Sequence, residues 1–313
     1  MTMKDFSVTF LGISAAIPAK NRNLSAQVVH YAGNVFLIDC GEGTQMQLKH
    51  YKIKTGKINH IFISHLHGDH FYGLIGLIST FHLMGRSAGL HIYGPEPLES
   101  VIRLQLDVSK TELRYPLFFH TVDPDRQSVV YEDHFMEVRS LPMIHRIPCT
   151  GFYFIEKPLN RRINLSAAAY HDVPVKAFES IKLGKDFVKD DGTVIANSVL
   201  THEPAPARSY ALCADTLYHE PVAQLIKGCD LMFHEATFMK DMENVAAEKM
   251  HSTAEQAAKI AVAAEAGQLV LGHFSARYEN LLPLLEEATA VFSNSFLAEE
   301  GHTVMIKSGV KNS

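Results

Sequence analysis

The chain has 313 residues, 47% of them hydrophobic and 20% charged, which is enough to bury a core in one large domain or two. Its net charge of −5 excludes a protein that coats nucleic acid through a uniformly basic surface, so any contact with RNA must use local positive charge. The sequence contains no apolar run of membrane-spanning length, no signal-peptide core and no C-x-x-C pair among its four cysteines, and we therefore expect a cytoplasmic protein that does not contact a membrane.

The N-terminal segment predicts mainly strands, because branched and aromatic residues alternate or run together between turns that contain glycine. The strands are expected at residues 6–12, 27–31, 34–39 and 58–63. Asp39 ends one of these strands and precedes a short helix that begins near Thr44. The Asp39 carboxylate could orient a histidine that binds a metal, or it could simply be a carboxylate at the N-terminal entry to the helix.

Residues 64–70, Ser-His-Leu-His-Gly-Asp-His, follow a predicted buried strand directly and precede an apolar helix. His65 and His67 are two residues apart and can face the same way. Asp69 and His70 are adjacent and would bind at a neighbouring point. Imidazole and carboxylate groups together suit zinc or a similar divalent ion. The alternative is a polar turn with solvated histidines, which the density of ligand-type residues disfavours.

The middle of the sequence adds further strands and one helix. The strands are expected at residues 90–95, 117–122, 127–131, 135–141 and 151–156. A helix is expected from Pro97 towards Val108, and His145 follows the end of a predicted strand. This mixed order indicates a layered sheet with helices on its outer faces, and it does not fit a simple alternation of strands and helices.

Residues 157–200 differ from the rest of the chain. Their hydrophobic periodicity is poor, prolines and glycines interrupt them, and their seven lysines and arginines are nearly balanced by acidic residues. Such a segment is either a solvated excursion on the surface or a protruding arm that contacts a partner. The sequence pattern alone does not separate these two interpretations.

The C-terminal half repeats one pattern, in which an apolar strand ends in a residue able to bind a metal. These end residues are Asp215, His234 with Glu235, and His273. Because strand ends at one edge of a sheet form sites in mixed α/β folds, their placement matches that of His65. The pair His234 and Glu235 could instead be a buried polar pair that supports the sheet.

A helix rich in alanine is predicted up to Ala266, and Ser252 with Glu255 would form the capping box that opens it. His251 stands just before this helix, where it could either act in catalysis or hydrogen-bond locally. A last helix is expected over residues 278–292, and a last strand over 303–307. The second half therefore also combines strands with helices.

The H-x-H-x-D-H signature in residues 65–70 resembles the metallo-β-lactamase superfamily. Residues 36–45, residues 234–238 with 251–253, and residues 273–278 narrow this likeness to the ribonuclease Z family of tRNA 3′-processing endonucleases. The likeness covers nearly the whole chain. It implies an α/β fold, a four-layer αββα sandwich formed by residues 1–313 as a single domain, with residues 157–200 inserted as an arm that binds tRNA.

The resemblance also implies a site with two zinc ions, which Mn²⁺ or another divalent ion could replace. The seven implied ligands are His65, His67 and His145 for one ion, Asp69, His70 and His273 for the other, and Asp215 as the bridge. Asp69 would be the general base, His251 would protonate the leaving oxygen, and Glu235 could orient His251. The implied reaction removes the 3′ trailer from precursor tRNA, leaving a 3′-hydroxyl on the tRNA and a 5′-phosphate on the trailer. Family members are usually homodimers.

Basic residues in two regions are candidates for RNA contact, although each could instead be an ordinary surface or structural residue. They are Lys20, Arg22 and Arg277 for the RNA 3′ end, and Arg161, Arg162, Lys182 and Lys185 for the arm. The arm lacks the Gly-Pro run that is expected in bacterial family members, so its length and its grip on tRNA do not follow from the resemblance.

Two other functions remain open at the level of the sequence. The first is hydrolysis of a small phosphodiester or a sulfate ester, because the same pair of metals would serve that chemistry on the same fold. The second is a non-catalytic RNA-binding module with a vestigial metal site, which the presence of all seven candidate ligands disfavours.

Overall fold

The computed structural model describes residues 5–307. The strands are β1 Phe6–Gly12, β2 Ser14–Ala15, β3 Ala26–Tyr31, β4 Asn34–Ile38, β5 Ile58–Phe62, β6 Leu90–Gly94, β7 Leu117–Thr121, β8 Val129–Glu132, β9 Met136–Met143, β10 Cys149–Glu156, β11 Arg162–Ile163, β12 Phe187–Val188, β13 Val194–Ile195, β14 Thr201–His202, β15 Ser209–Cys213, β16 Leu231–Glu235, β17 Gln268–Gly272, β18 Phe274–Ser275, β19 Ser295–Leu297 and β20 Thr303–Met305.

The helices are short, and within the described residues none is long and apolar enough to cross a bilayer. They are α1 Thr44–His50, α2 Gly68–Phe71, α3 Leu74–Leu83, α4 Pro97–Val108, α5 Leu165–Tyr170, α6 Phe178–Lys182, α7 Asn197–Leu200, α8 Val222–Leu225, α9 Glu243–Lys249, α10 Ala254–Ala263 and α11 Leu282–Thr289. Single turns of 3-10 helix span Thr55–Lys57, Val175–Ala177 and Lys240–Met242.

The contacts between residues divide the described chain into two compact units, of which the larger comprises residues 5–155 and 208–307. Two seven-stranded sheets form this unit, in the orders β20-β1-β3-β4-β5-β6-β7 and β19-β17-β16-β15-β10-β9-β8. In the first sheet, β4 to β7 are parallel, and in the second, β15, β16 and β17 are parallel. Parallel neighbours bring their carboxyl ends to one edge, as the sequence pattern predicts.

The main core of the larger unit lies between the two sheets. Phe62 of β5 contacts Phe152 and Phe154 of β10, with ring centroids 5.2 and 5.5 Å apart, and all three side chains are fully buried. A second core lies on the other face of the first sheet, where α1, α3 and α4 contribute buried leucine and isoleucine side chains. Helix α10 packs against β16 and β17 of the second sheet. The predicted four-layer αββα sandwich is therefore confirmed.

The smaller unit comprises residues 156–207 and includes the segment predicted to be an arm. It holds α5 to α7 and the two-stranded pairs β11–β14 and β12–β13. Ala168, Val173, Ile181 and Leu200 form a small core of its own. Its elements are two to six residues long, so they show no periodicity that sequence inspection could find.

The start of helix α10 differs by one residue from the sequence prediction. The capping box consists of Thr253 and Gln256, not of Ser252 and Glu255. The Ser252 hydroxyl donates instead to the Thr216 carbonyl, and its backbone N–H donates to Glu235. Because Ser252 makes these two hydrogen bonds, the next residue, Thr253, caps the helix.

Candidate active site

Three histidines and one aspartate converge at the first half of the site. The distance from His67 Nδ1 is 3.0 Å to His65 Nε2 and 3.1 Å to His145 Nε2. Asp215 Oδ2 lies 3.6 Å from His65 Nε2 and 3.9 Å from His145 Nε2. These four side chains come from three separate parts of the chain, each just past a strand end.

A second group of ligand atoms lies beside the first. The Nε2 atoms of His70 and His273 are 3.2 Å apart, and Asp69 Oδ2 lies 3.5 and 3.4 Å from them. Asp215 also reaches this group, since its Oδ2 is 3.5 Å from His70 Nε2 and its Oδ1 is 3.3 Å from His273 Nε2. The Asp215 carboxylate therefore stands between both groups, and all seven predicted ligands are brought together.

The donor set fits a pair of divalent metal ions. Two nitrogens that bind one tetrahedral zinc at about 2.0–2.1 Å lie about 3.3 Å apart, close to the nitrogen–nitrogen distances in both groups. The ligand atoms of each group all lie within 4.8 Å of one another. Three donors of its own and one oxygen of the shared carboxylate would give each point four ligands, and a water would be the fifth, a coordination number that catalytic zinc can reach.

Asp39 and Ser64 orient one histidine of each group. Asp39 Oδ2 lies 2.7 Å from His70 Nδ1 and accepts the Ser64 hydroxyl at 3.0 Å. The same hydroxyl oxygen lies 3.0 Å from His65 Nδ1, so it can accept that ring's proton. With their Nδ1 atoms occupied, both rings turn Nε2 towards the site. Of the two interpretations of Asp39, the geometry supports the orienting role.

Two other ligands are held by groups that the sequence analysis did not identify. The carbonyl of Met250, a residue with a left-handed φ of 56° at the end of α9, accepts from His145 Nδ1 at 2.9 Å. The Thr237 hydroxyl lies 3.0 Å from His273 Nδ1 and donates to Glu235 at 2.7 Å. Only the fold brings these partners together, because they lie up to 105 residues from the ligand they orient.

The electrostatic environment prepares the site for a cation. Burial lowers the pKa of His65, His67 and His145, which keeps these rings neutral with their lone pairs free. His70 is different, since burial is outweighed by Asp215 and two further carboxylates that raise its pKa well above the usual value. The negative field that retains a proton on His70 would equally attract a metal ion.

The Asp69 carboxylate is held in its ionised form. Burial would raise its pKa, but the neighbouring His70 and His273 hold it far below the usual range. The backbone N–H of Ala16 donates to Asp69 Oδ2 at 2.7 Å and fixes the side chain. A close approach at Gly41 also positions this turn, because a Cβ atom there would lie 2.4 Å from the Asp69 carbonyl oxygen.

His251 and Glu235 form an ion pair next to the ligands. His251 Nδ1 lies 2.9 Å from Glu235 Oε1 and 4.0 Å from Asp215 Oδ2. Although burial lowers the pKa of His251, the charge and hydrogen bond of Glu235 raise it to about 9. Glu235 is fully buried and also accepts backbone N–H groups of Thr216 and Ser252. His251 is thus protonated at neutral pH and firmly oriented.

His234 has no contact with the ligand groups. It is fully buried, and its Nδ1 donates to the carbonyl of Glu235 at 2.7 Å. The two members of the predicted polar pair therefore differ, with Glu235 at the site and His234 within the sheet.

An open groove of about 580 Å³ exposes the ligands to solvent. His67, Asp69, His145, Asp215, His251 and His273 line it, together with Ile17, Tyr72, Arg146 and Lys249. The last four were not singled out in the sequence. Sequence signals existed only for Tyr72, an aromatic residue two positions after the metal motif, and for Arg146, directly after a ligand.

The basic residues that were predicted to contact RNA have different environments. Lys20 is exposed in the loop that precedes β3. The Arg22 guanidinium donates to the carbonyls of Tyr278 and Ser275 at 2.8 and 3.3 Å, so it ties two loops together. Arg277 is exposed, and its guanidinium lies 5.1 Å from the ring of Phe238.

Within the smaller unit, Arg161 donates to Thr201 Oγ1 at 2.6 Å and pairs with Glu203, which gives it a structural partner. Arg162, Lys182 and Lys185 are exposed. Contact of any of these residues with RNA stays a prediction.

Comparison with known proteins identifies the family. A family model described as "Anti-Pycsar protein Apyc1" matches residues 6–180, and one described as "Beta-lactamase superfamily domain" matches residues 161–274. A ribonuclease Z from Bacteroides fragilis is 47% identical over 95% of this chain and 98% of its own length. A ribonuclease Z from Bacteroides thetaiotaomicron is 46% identical over 97% of this chain and 96% of its own length. The chain belongs to the ribonuclease Z family.

Solved structures agree with this assignment. The crystal structure of human tRNase Z, short form, matches with a TM-score of 0.70 and 29% identity, covering 96% of this chain and 99% of that chain. The resemblance found in the sequence is therefore confirmed, and so is the prediction of a hydrolytic endoribonuclease. The ligand roles and the metal identity remain predictions.

Proposed function

We propose that this member of the ribonuclease Z family is a zinc-dependent endonuclease that removes the 3′ trailer from precursor tRNA. The observation that carries the proposal is the pair of ligand groups joined by Asp215, with the His251–Glu235 ion pair beside them in one groove. Full-length relatives named ribonuclease Z and the similarity to human tRNase Z support the choice of substrate.

The proposed site holds two Zn²⁺ ions per chain, which Mn²⁺ can replace. His65, His67 and His145 would hold one ion, Asp69, His70 and His273 would hold the other, and Asp215, which lies between the two groups, would serve both. When bound, the two cations supply Lewis acidity that lowers the pKa of water and neutralises the charge on phosphate. Imidazole donors suit Zn²⁺, and carboxylate donors suit Mn²⁺.

The residues of the chain then divide the proton transfers between them. The ionised Asp69 accepts the proton of the attacking water, and His251 gives its proton to the oxygen that leaves phosphorus. Glu235 keeps His251 protonated and aligned. The products are a tRNA that ends in a 3′-hydroxyl and a trailer that begins with a 5′-phosphate.

The proposal extends to assembly and location. Met46 of α1, Leu83 at the end of α3 and Met84 directly after it are 64–82% exposed, and the two helices are linked by a hydrogen bond from Thr80 to Gln45. This exposed apolar face suits a symmetric contact with a second copy, so we propose a homodimer. The four cysteines are buried free thiols, which suits the location in a reducing cytoplasm that we propose.

The test combines metal analysis with mapping of the cut. The purified enzyme should contain two ions per chain and should cleave a 3′-extended precursor tRNA next to the discriminator nucleotide in the presence of zinc or manganese. Asp69→Ala should abolish cleavage while the protein stays folded by circular dichroism. Failure to cut near that nucleotide, or full activity of Asp69→Ala, would contradict the proposal.

A further inference from the structure

Tyr72 combines exposure with a fixed position beside the ligand groups. It lies at the end of α2, the helix that carries Asp69 and His70, and it lines the groove together with His67 and Asp69. Its side chain is 65% exposed. Within residues 5–307 its hydroxyl has no hydrogen-bond partner, so no structural bond accounts for a tyrosine at this position.

The ring of Tyr72 packs directly over the backbone of Gly68. A Cβ atom on Gly68 would lie 2.4 Å from Cε2 and 2.7 Å from Cδ2 of the ring, so this packing requires glycine at residue 68. On another side, the ring of Phe71 contacts it edge-on, with centroids 5.0 Å apart at 62°. The ring is thus supported from below and from the side.

The remaining surroundings suit a nucleotide strand. Arg146 and Lys249 line the same groove and are exposed, and the Arg146 guanidinium lies 3.5 Å from the carbonyl of Glu248 at the end of α9. Single strands bind in grooves that combine cations for the backbone with aromatic rings on which bases stack. Exposed Ile17 adds apolar surface to this groove.

On this basis, and resting on the proposed function, we propose that Tyr72 is a stacking platform for a nucleobase next to the scissile phosphate. The ring would bind one base through its face and so fix the position of the adjoining phosphate relative to the ligand groups. The base belongs either to the last retained nucleotide or to the first nucleotide of the trailer. Recognition would tolerate any base, because every base has an aromatic face.

The test compares variants at Tyr72 on matched RNA substrates. Since stacking on an aromatic side chain contributes substantially for each base, Tyr72→Ala should lower kcat/KM for precursor tRNA by about 10- to 100-fold. Tyr72→Phe should stay within about twofold of the wild type, because the ring face and not the hydroxyl makes the contact. Val108→Ala, which alters an equally exposed apolar side chain on α4, is the matched control and should have no effect.

Precursors that lack a single base identify the partner. One substrate has an abasic site at the last retained nucleotide, and the other has it at the first trailer nucleotide. The wild type should cleave the substrate that lacks the stacked base only as fast as Tyr72→Ala cleaves the intact precursor. On that abasic substrate, Tyr72→Ala should be no slower than the wild type. A loss that persists undiminished on both abasic substrates would overturn the inference.

Equilibrium binding of the same RNAs separates this inference from the proposed function. If the wild type cleaves precursor tRNA and Tyr72→Ala cleaves it equally well, only the stacking platform is wrong. If the wild type does not cleave, the proposed function fails, and the affinities still decide on stacking. Equal affinity of the wild type and Tyr72→Ala for the intact RNA would then contradict it.

Discussion

At the scale of single residues, the site depends on how its ligands are oriented. Each imidazole can present only one nitrogen to a metal, and the group bound to its other nitrogen decides which one. Asp39 has a left-handed φ of 56° at the end of β4, an uncommon conformation that aspartate tolerates better than most residues. Its two oxygens serve Ser64 and His70 together, so one carboxylate supports both ligand groups.

Replacement of Asp39 by asparagine should weaken metal binding without unfolding the protein. The amide can no longer accept from both donors as a carboxylate does, and loss of such a supporting group typically lowers metal affinity about 10- to 100-fold. Competition with a chromogenic chelator measures this change directly. Ser64→Ala is the comparison, since it removes the acceptor for His65, leaves Asp39 as the nearer partner of His70 and should weaken binding less. An Asp39→Asn enzyme with the affinity of the wild type would contradict the orienting role.

His251 makes a prediction that depends on the leaving group. An alkoxide needs a proton in order to leave, whereas p-nitrophenolate does not, so His251→Ala should slow cleavage of precursor tRNA by about 10²- to 10⁴-fold and slow a p-nitrophenyl phosphodiester far less. Steady-state rates on both substrates give the comparison, with Glu235→Gln expected to follow the same pattern. Equal losses on both substrates would indicate that His251 does not act as an acid.

Much of this site could be predicted from the sequence, because ligand-type residues follow apolar strands at positions 65–70, 215 and 273. The orienting groups could not be predicted in the same way. The link from Met250 to His145 depends on a left-handed turn, and the link from Thr237 to His273 depends on one hydroxyl rotamer. Neither a turn conformation nor a rotamer is visible in residue spacing.

At the scale of secondary structure, three strands of the first sheet carry a ladder of histidines. His60 of β5 stacks on His91 of β6 with ring centroids 5.1 Å apart, and His91 stacks on His120 of β7 at 5.2 Å. Tyr131 of the second sheet covers only the first of them, at 4.6 Å. Three rings that can each take up a proton therefore lie in contact, away from the catalytic ligands.

This ladder should make stability depend on pH. Burial and the neighbouring His91 and His120 lower the pKa of His60 to about 4, so the unfolded chain binds its proton more readily than the folded one. The stabilising contribution is therefore complete above pH 6.5 and is lost as the pH falls from 6.5 towards 4. Arg86 also disfavours the charge, while Asp133 partly offsets it.

Replacement of His60 by phenylalanine tests this dependence. The aromatic contacts are retained while the titrating group is removed, so the decrease in unfolding free energy between pH 6.5 and 4 should become smaller by on the order of 1–3 kcal/mol. Urea denaturation at several pH values gives the comparison. His134→Phe, at an exposed histidine outside the ladder, is the control. An unchanged pH dependence in His60→Phe would contradict the assignment.

At the scale of the whole molecule, the unit of residues 156–207 is an insertion between neighbouring strands. Strands β10 and β15 are antiparallel, and Ile155 lies opposite Ser209. A two-residue turn can connect such a pair, so the unit can be removed without disturbing the register of the sheet. The two candidate functions differ in what this removal should do.

An enzyme in which Asn-Gly replaces residues 157–207, so that Glu156 and Arg208 flank the new turn, should keep its bound metal and its turnover of a small phosphodiester. Cleavage of precursor tRNA should fall by roughly a hundredfold, because exposed cations that can pair with phosphates are lost. The full-length variant with Arg162, Lys182 and Lys185 changed to alanine should show part of that loss. Unchanged tRNA cleavage by the shortened enzyme would show that the arm does not contribute to substrate recognition. Small-ester turnover without any tRNA cleavage in the full-length enzyme would favour the alternative hydrolase.

The seven predicted ligands lie between residues 65 and 273 and come from both sheets of the sandwich. Two bound metal ions would therefore cross-link the two sheets of the fold, and their binding energy would add to conformational stability. Under metal scarcity, the enzyme would lose not only turnover but also resistance to proteases. The cellular supply of that metal would then set the lifetime of the protein as well as its rate.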